Sequence, residues 1–246
     1  FLGLPPLSDI QYMIVRVSSQ IYKLDTLIAL YGDEKGRKRY AETYNEIILQ
    51  IGKGAGKDYT SSIAMCYIIY LLLCLKDPAT YYGQPKGNHI DLLNIAINSD
   101  QAQRVFFKYM KERLMNCPWF EGRYKTPIPP NMIEFDKGVT LYSGHSEREV
   151  FEGLNLFMAV LDEISGFALE STTGNVRANT AQATYDTYRD SVDSRFEKFG
   201  KVSMLSFPRF EDDFIQQKYN AAIAEKETII KTHTFKVDED LPDGTE

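Results

Sequence analysis

The 246-residue sequence is poor in the residues that build metal centres and disulfide frameworks. It has three cysteines, Cys66, Cys74 and Cys117, at no metal-ligand spacing, and they read as reduced thiols of a cytosolic protein. Its three histidines, His89, His145 and His233, are scattered, so a histidine metal site has little support. No apolar run reaches the roughly 20 residues of a membrane helix. The most hydrophobic stretch, Ile63 to Leu75, reads as a buried helix, and no membrane partner is expected. The start, Phe1-Leu2-Gly3-Leu4-Pro5-Pro6, lacks the basic end and apolar core of a secretion signal, and its Phe suggests a trimmed chain. Repeats and low-complexity tracts are missing as well. Net positive charge is also absent: the formal charge is −6, which argues against coating nucleic acid by bulk charge.

What is present is an ordinary globular composition, with 43% hydrophobic residues to supply a core. Leu7 to Leu30 reads as one or two helices capped at Ser8 or Asp9. Gly32 to Arg39 reads as a charged loop. Strand candidates are Glu46 to Ile51, Ile90 to Ile97, Leu156 to Leu161, Lys201 to Phe207 and Thr228 to Val237, with a hairpin at Met132 to Tyr142. Helices are expected at about 59–76, 100–115 (capped by Ser99), 177–196 and 213–225, and a loop at Asp77 to Asn88. Strands that alternate with helices, several of them continuous apolar runs, predict an α/β fold. Its sheet should be largely parallel and covered on both faces. The whole chain, 1–246, reads as one domain: a helical lead-in at 1–45, a core at 46–237 and an acidic tail at 238–246.

Two motifs carry chemistry. The first strand runs into Gly52-Lys53-Gly54-Ala55-Gly56-Lys57-Asp58, with a helix after it. A strand, a glycine-rich turn and a helix form the context of a phosphate-binding P-loop. Glycines let backbone N–H groups wrap an anion at the positive helix end, and Lys57 adds a mobile charge for the terminal phosphates. The motif departs from G-x-x-x-x-G-K-[ST] twice: Ile51 stands where the first glycine is expected, and Asp58 replaces the Ser or Thr. A carboxylate at 58 can still serve Mg²⁺, an ion that takes oxygen ligands. The second motif is Asp162-Glu163 at the end of an apolar strand, where parallel sheets gather ligands. Asp162 is expected to hold Mg²⁺ and Glu163 to act as general base toward the attacking water. The strand candidate 90–97 separates the two motifs along the chain. Alone, the turn also suits a plain β-to-α connection and the acid pair a helix cap; together they predict an ATPase using ATP and Mg²⁺.

These residues resemble the ATPase domain of the tailed-phage terminase large subunit, a DNA-packaging motor. The resemblance rests on the variant P-loop at 52–58, on Leu92 to Arg113 with Asp100-Gln101-Ala102, on Val160-Leu161-Asp162-Glu163-Ile164, and on Ser203-Met204-Leu205-Ser206-Phe207-Pro208. It implies a P-loop NTPase of the additional-strand catalytic-glutamate class. It further implies Gln11 as reader of the adenine edge, Ser206 as γ-phosphate sensor and Arg148 as the finger reaching a neighbour's nucleotide, with Arg104 and Arg209 as weaker candidates. The partners it implies are double-stranded DNA, a homo-oligomeric ring of five subunits on a portal and a small terminase subunit, in the host cytoplasm. Lys35, Arg37, Lys38 and Arg39, or Lys108, Lys111 and Arg113, are the basic clusters for DNA. The nuclease domain of that family is not expected in this chain. Rival readings are another P-loop ATPase, such as a helicase-like translocase, and a non-catalytic scaffold.

Overall fold

A computed structural model of the chain describes residues 2–52, 56–96, 106–145, 153–167, 180–208, 212–228 and 234–238. Its centre is a sheet of seven strands: β1 (Glu46–Gln50), β2 (Ile90–Ala96), β3 (Met132–Glu134), β4 (Val139–His145), β5 (Leu156–Asp162), β6 (Lys201–Ser206) and β7 (Thr234–Asp238). The spatial order is β3-β4-β2-β5-β6-β1-β7. Every neighbouring pair is parallel except the β3–β4 hairpin. The strand lying between β1 and β5 in space is β6, although β2, β3 and β4 separate them along the chain.

β2, β5 and β6 are buried at every position, as strands covered on both faces must be. On one face, Ile47, Leu49, Leu92, Val160 and Leu205 pack under Met65, Ile68, Ile69 and Leu72 of α4 (Lys57–Cys74) and under Met110 and Leu114 of α6 (Lys108–Asn116). On the other, Ile48, Leu93, Leu161 and Met204 meet Tyr185, Tyr188 and Val192 of α7 (Thr180–Phe196) and Phe214 and Ile215 of α8 (Phe214–Thr228). Strand alternation sends successive side chains to opposite layers, so each strand feeds both cores. All three cysteines are free thiols.

The lead-in forms α1 (Asp9–Ser18), α2 (Leu24–Tyr31) and α3 (Asp33–Ala41). α1 begins with a capping box: the Ser8 hydroxyl accepts from the Gln11 N–H, and the Gln11 side-chain oxygen accepts from the Ser8 N–H. α3 corrects the expected loop at Gly32 to Arg39. Gly32 sits before the helix at φ 82°, and a Cβ on Gly36 would lie 2.8 Å from the Ile28 backbone, so Gly36 is where α3 crosses α2 closely. Its acids lie in the first turn and its bases in the last, complementing the helix dipole, and Asp33 pairs with Arg37 at 3.0 Å. Both glycines that suggested a loop therefore serve a helix.

Two other expectations shift. The loop at Asp77 to Asn88 contains the short helix α5 (Pro78–Tyr81), with Asp77 capping the N–H of Thr80 and proline in the first turn. Of the expected final strand, Thr228 belongs to the end of α8 and Thr234–Asp238 is strand, while 229–233 lie outside the described residues. Among the described residues no helix is long and apolar enough to cross a membrane.

Candidate nucleotide site

The site lies where β1 and β5 end, on either side of the end of β6. β1 leads into the glycine turn, of which Lys53, Gly54 and Ala55 lie outside the described residues. Gly52 leaves the strand immediately after Ile51, whose N–H donates to the Ser206 carbonyl at 3.1 Å. Gly56 caps α4 with φ 83° and ψ 23°, a left-handed conformation that glycine adopts without a Cβ clash. α4 thus starts at Lys57 with its N–H groups directed at the turn, the geometry that binds phosphate.

Lys57 and the two acids at the end of β5 meet. The Lys57 ammonium lies 2.9 Å from Oε1 of Glu163, 3.3 Å from Oδ1 of Asp162 and 2.6 Å from Oδ1 of Asp58. Lys57 and Asp162 are buried. Burial alone works against the charge on Lys57, yet Asp162, Asp58 and Glu163 hold its pKa above the ordinary lysine value. Burial pushes the Asp162 carboxyl up to about 7, with Asp58 adding to the rise and Lys57 opposing it. Glu163 sits at φ 55° and ψ 36°, left-handed for a residue with a Cβ. Backbone strain of this kind, of order 1 kcal/mol or more, persists where the surroundings over-determine it and clusters at functional sites.

The resulting arrangement is an ammonium inside three carboxylates, facing a helix N-terminus. A triphosphate would compete for Lys57 and release Asp58 and Asp162 as oxygen ligands. Among the described residues no cluster of three or more His, Cys, Asp or Glu is spaced to hold a metal by itself. Asp58 and Asp162, gathered on Lys57, suit Mg²⁺, which takes one or two carboxylates and completes its shell with phosphate and water.

The other expected residues divide. Gln11 is at the site: its Nε2 lies 3.5 Å from where a Cβ on Gly56 would stand. The capping box that starts α1 holds the Gln11 oxygen on Ser8, at 3.1 Å, and leaves the amide nitrogen on the P-loop side. Ser206 ends β6 between β1 and β5, fully buried. It alternates with Val202 and Met204, so it falls on the α8 side of the sheet, and its hydroxyl accepts from the Ser165 N–H at 3.4 Å. Arg148, Arg104 and Arg209 lie outside the described residues, as does Asp100-Gln101-Ala102. Of the basic clusters, Arg37 pairs with Asp33, Arg39 lies over Tyr31 at 4.2 Å, and Arg113 is drawn between α4 and α6 onto Ser62 and the Tyr59 ring. Asn94 and Ser143, buried polar residues on β2 and β4, carried no sequence signal because each sits inside a run that reads simply as strand.

Residues 1–240 match the family described as the "Uncharacterized protein MJ0330, N-terminal P-loop domain". The chain belongs to this family. It is a P-loop NTPase domain, as the family's description has it. Over 172 residues, 66% of this chain, it is 32% identical to the uncharacterized protein MJ0330 of Methanocaldococcus jannaschii, and it spans 29% of that protein's length. The fold of this P-loop domain is shared with the large terminase of bacteriophage HK97, with a TM-score of 0.59 at 14% identity over 98% of this chain and 41% of that one. The Thermus phage P74-26 large terminase ATPase domain superimposes with a TM-score of 0.49 at 13% identity, over 69% of this chain and 62% of that one. β6 standing between the P-loop strand and the acidic strand is the additional strand that the terminase resemblance implies.

Proposed function

We propose that this P-loop domain hydrolyses ATP as the motor of a terminase-type machine that drives double-stranded DNA into a viral procapsid. The observation that supports hydrolysis best is the 2.9 Å contact between Lys57 and Glu163, the cation we assign to the phosphates and the carboxylate we assign to the attacking water. Lys57 turns from its acids to the terminal phosphates. Gln11 holds the base beside Gly56. Asp58 and Asp162 are the groups that would hold Mg²⁺, which when bound offsets charge on the phosphate oxygens. Glu163 takes a proton from water as its oxygen bonds to the γ-phosphorus. The bond from that phosphorus to the β–γ bridging oxygen breaks, and ADP and phosphate leave. Ser206 is retained as γ-phosphate sensor through its place between the two motif strands, acting by way of Ser165 rather than by direct contact.

The motor half of the reading draws on the terminase likeness. Subunits form a ring of five on a portal, in the cytoplasm of an infected host and with a small terminase subunit. Arg148 is then the finger that reaches a neighbour's nucleotide. Grip on DNA must be independent of sequence and so must use phosphate contacts, for which the α3 cluster Lys35, Lys38 and Arg39 remains the candidate. Calorimetry with a non-hydrolysable ATP analogue, with and without Mg²⁺, tests the site: binding strengthened by Mg²⁺ is expected, and no binding would return the chain to a scaffold. Hydrolysis measured with added linear duplex tests the motor. Stimulation without strand separation is expected, whereas strand separation would favour a helicase-like translocase.

A further inference from the structure

A seam of buried polar groups runs between the sheet and α4. Asn94 is fully buried on β2, and neither its Oδ1 nor its Nδ2 has a hydrogen-bond partner. The same holds for Oγ of Ser143, its register partner on β4, and for Oγ of Ser61 on α4. All three lie in the layer between the sheet and α4. Asn94 alternates with Ile90 and Leu92, and Ser143 with Val139 and Leu141. Ser61 precedes Met65 by four residues and Ile68 by seven, which is one face of the helix.

The register ties this seam to Asp162. Asn94 stands beside Val160 on β5, and Asp162 is the next residue on the same face of that strand. With strands about 4.8 Å apart and two residues spanning about 6.6 Å along a strand, the Cα atoms of such diagonal neighbours are about 8 Å apart, a gap that side chains and one bridging water span. Ala96, the next residue on that face of β2, is buried and carries only a methyl group. Buried amides and hydroxyls are costly without partners, and internal water typically binds where about three such groups converge.

We propose that Asn94, with Ser143 and Ser61, holds water against the back of Asp162 and so positions that carboxylate for the magnesium–nucleotide complex. Asn94 is thus a positioning residue. This inference rests on the proposed nucleotide site, and its test separates the two. Asn94→Leu exchanges the amide for an apolar group of similar size, and Ser143→Ala removes one oxygen. Binding of a fluorescent ATP analogue is followed against Mg²⁺ concentration, together with thermal melting. Asn94→Leu should melt at or above the wild-type temperature, because it removes polar atoms that must be hydrated inside the fold. It should also need about 5- to 20-fold more Mg²⁺ for half-maximal enhancement of binding, with metal-free binding unchanged. Ser143→Ala should shift the Mg²⁺ requirement in the same direction by less, and it carries the test if Asn94→Leu does not fold. An unaltered Mg²⁺ curve in both variants overturns the inference and leaves the nucleotide site standing. Wild-type protein that binds no nucleotide overturns both.

Discussion

Two lysines are buried at opposite ends of the sheet, and their surroundings could hardly differ more. Lys57, just past the end of β1, is ringed by Asp58, Asp162 and Glu163 and keeps its charge. Lys201, the first residue of β6, is fully buried with the Tyr44 carbonyl as its hydrogen-bond acceptor. Burial, aided by Lys198, pushes its pKa down to about 7. A charge withdrawn from water survives only where opposite charges offset the lost hydration; otherwise the group tends to its neutral form. The carboxyl ends of the strands supply such charges, and the amino end supplies a carbonyl. Burial of a lysine thus marks the candidate nucleotide site at one end and a structural plug at the other, and only the partners distinguish them.

The comparison breaks first at Lys57. Lys57→Ala should lower kcat for ATP by about 10³-fold or more, since it removes the charge aimed at the developing phosphate anion. Retained turnover, measured by phosphate release, would reduce the three-acid cluster to a structural network. Glu163→Gln sharpens the assignment within the cluster. It should lower turnover by about 10²- to 10⁴-fold while nucleotide binding by calorimetry persists. Turnover within a few-fold of wild type would remove Glu163 from the role of base.

The smallest effect belongs to Lys201. Its pKa falls from 10.5 in the unfolded chain to about 7 in the fold, so between those values the unfolded chain binds a proton that the native state gives up. Stability attributable to this group therefore rises with pH from about 7 toward 10 and is lost below 7. Lys201→Met should flatten that part of the profile, a change of a few degrees in melting temperature, with ATP hydrolysis unchanged. A melting curve whose pH slope survives the substitution would show that Lys201 is charged in the native state.

Much of the architecture was legible along the chain because its causes are local. Hydrophobic runs at 90–97 and 156–161 could be satisfied only as strands buried on both faces, and Gly56 before Lys57 is a backbone position that favours glycine for its left-handed φ. Where local cues conflicted, the reading failed. Gly32 and Gly36 signalled a break, but the charge order of Asp33 to Arg39 suits a helix dipole, and α2 needed a residue without a side chain to pack against. Ser206 was legible as a strand end, but which face its hydroxyl takes depends on register, and that turns it toward Ser165.

The sequence by itself determined that a turn of glycines and lysines follows an apolar strand and that a pair of acids ends another, since both follow from backbone conformation and periodicity within a few residues. Tertiary structure decided that β6 lies between them, that Lys57 touches both acids, and that Asn94 stands between Ser143 and Val160 in the sheet. Those facts depend on strand order and on which side chains lose water together, and residues more than a hundred positions apart become neighbours only when the sheet closes.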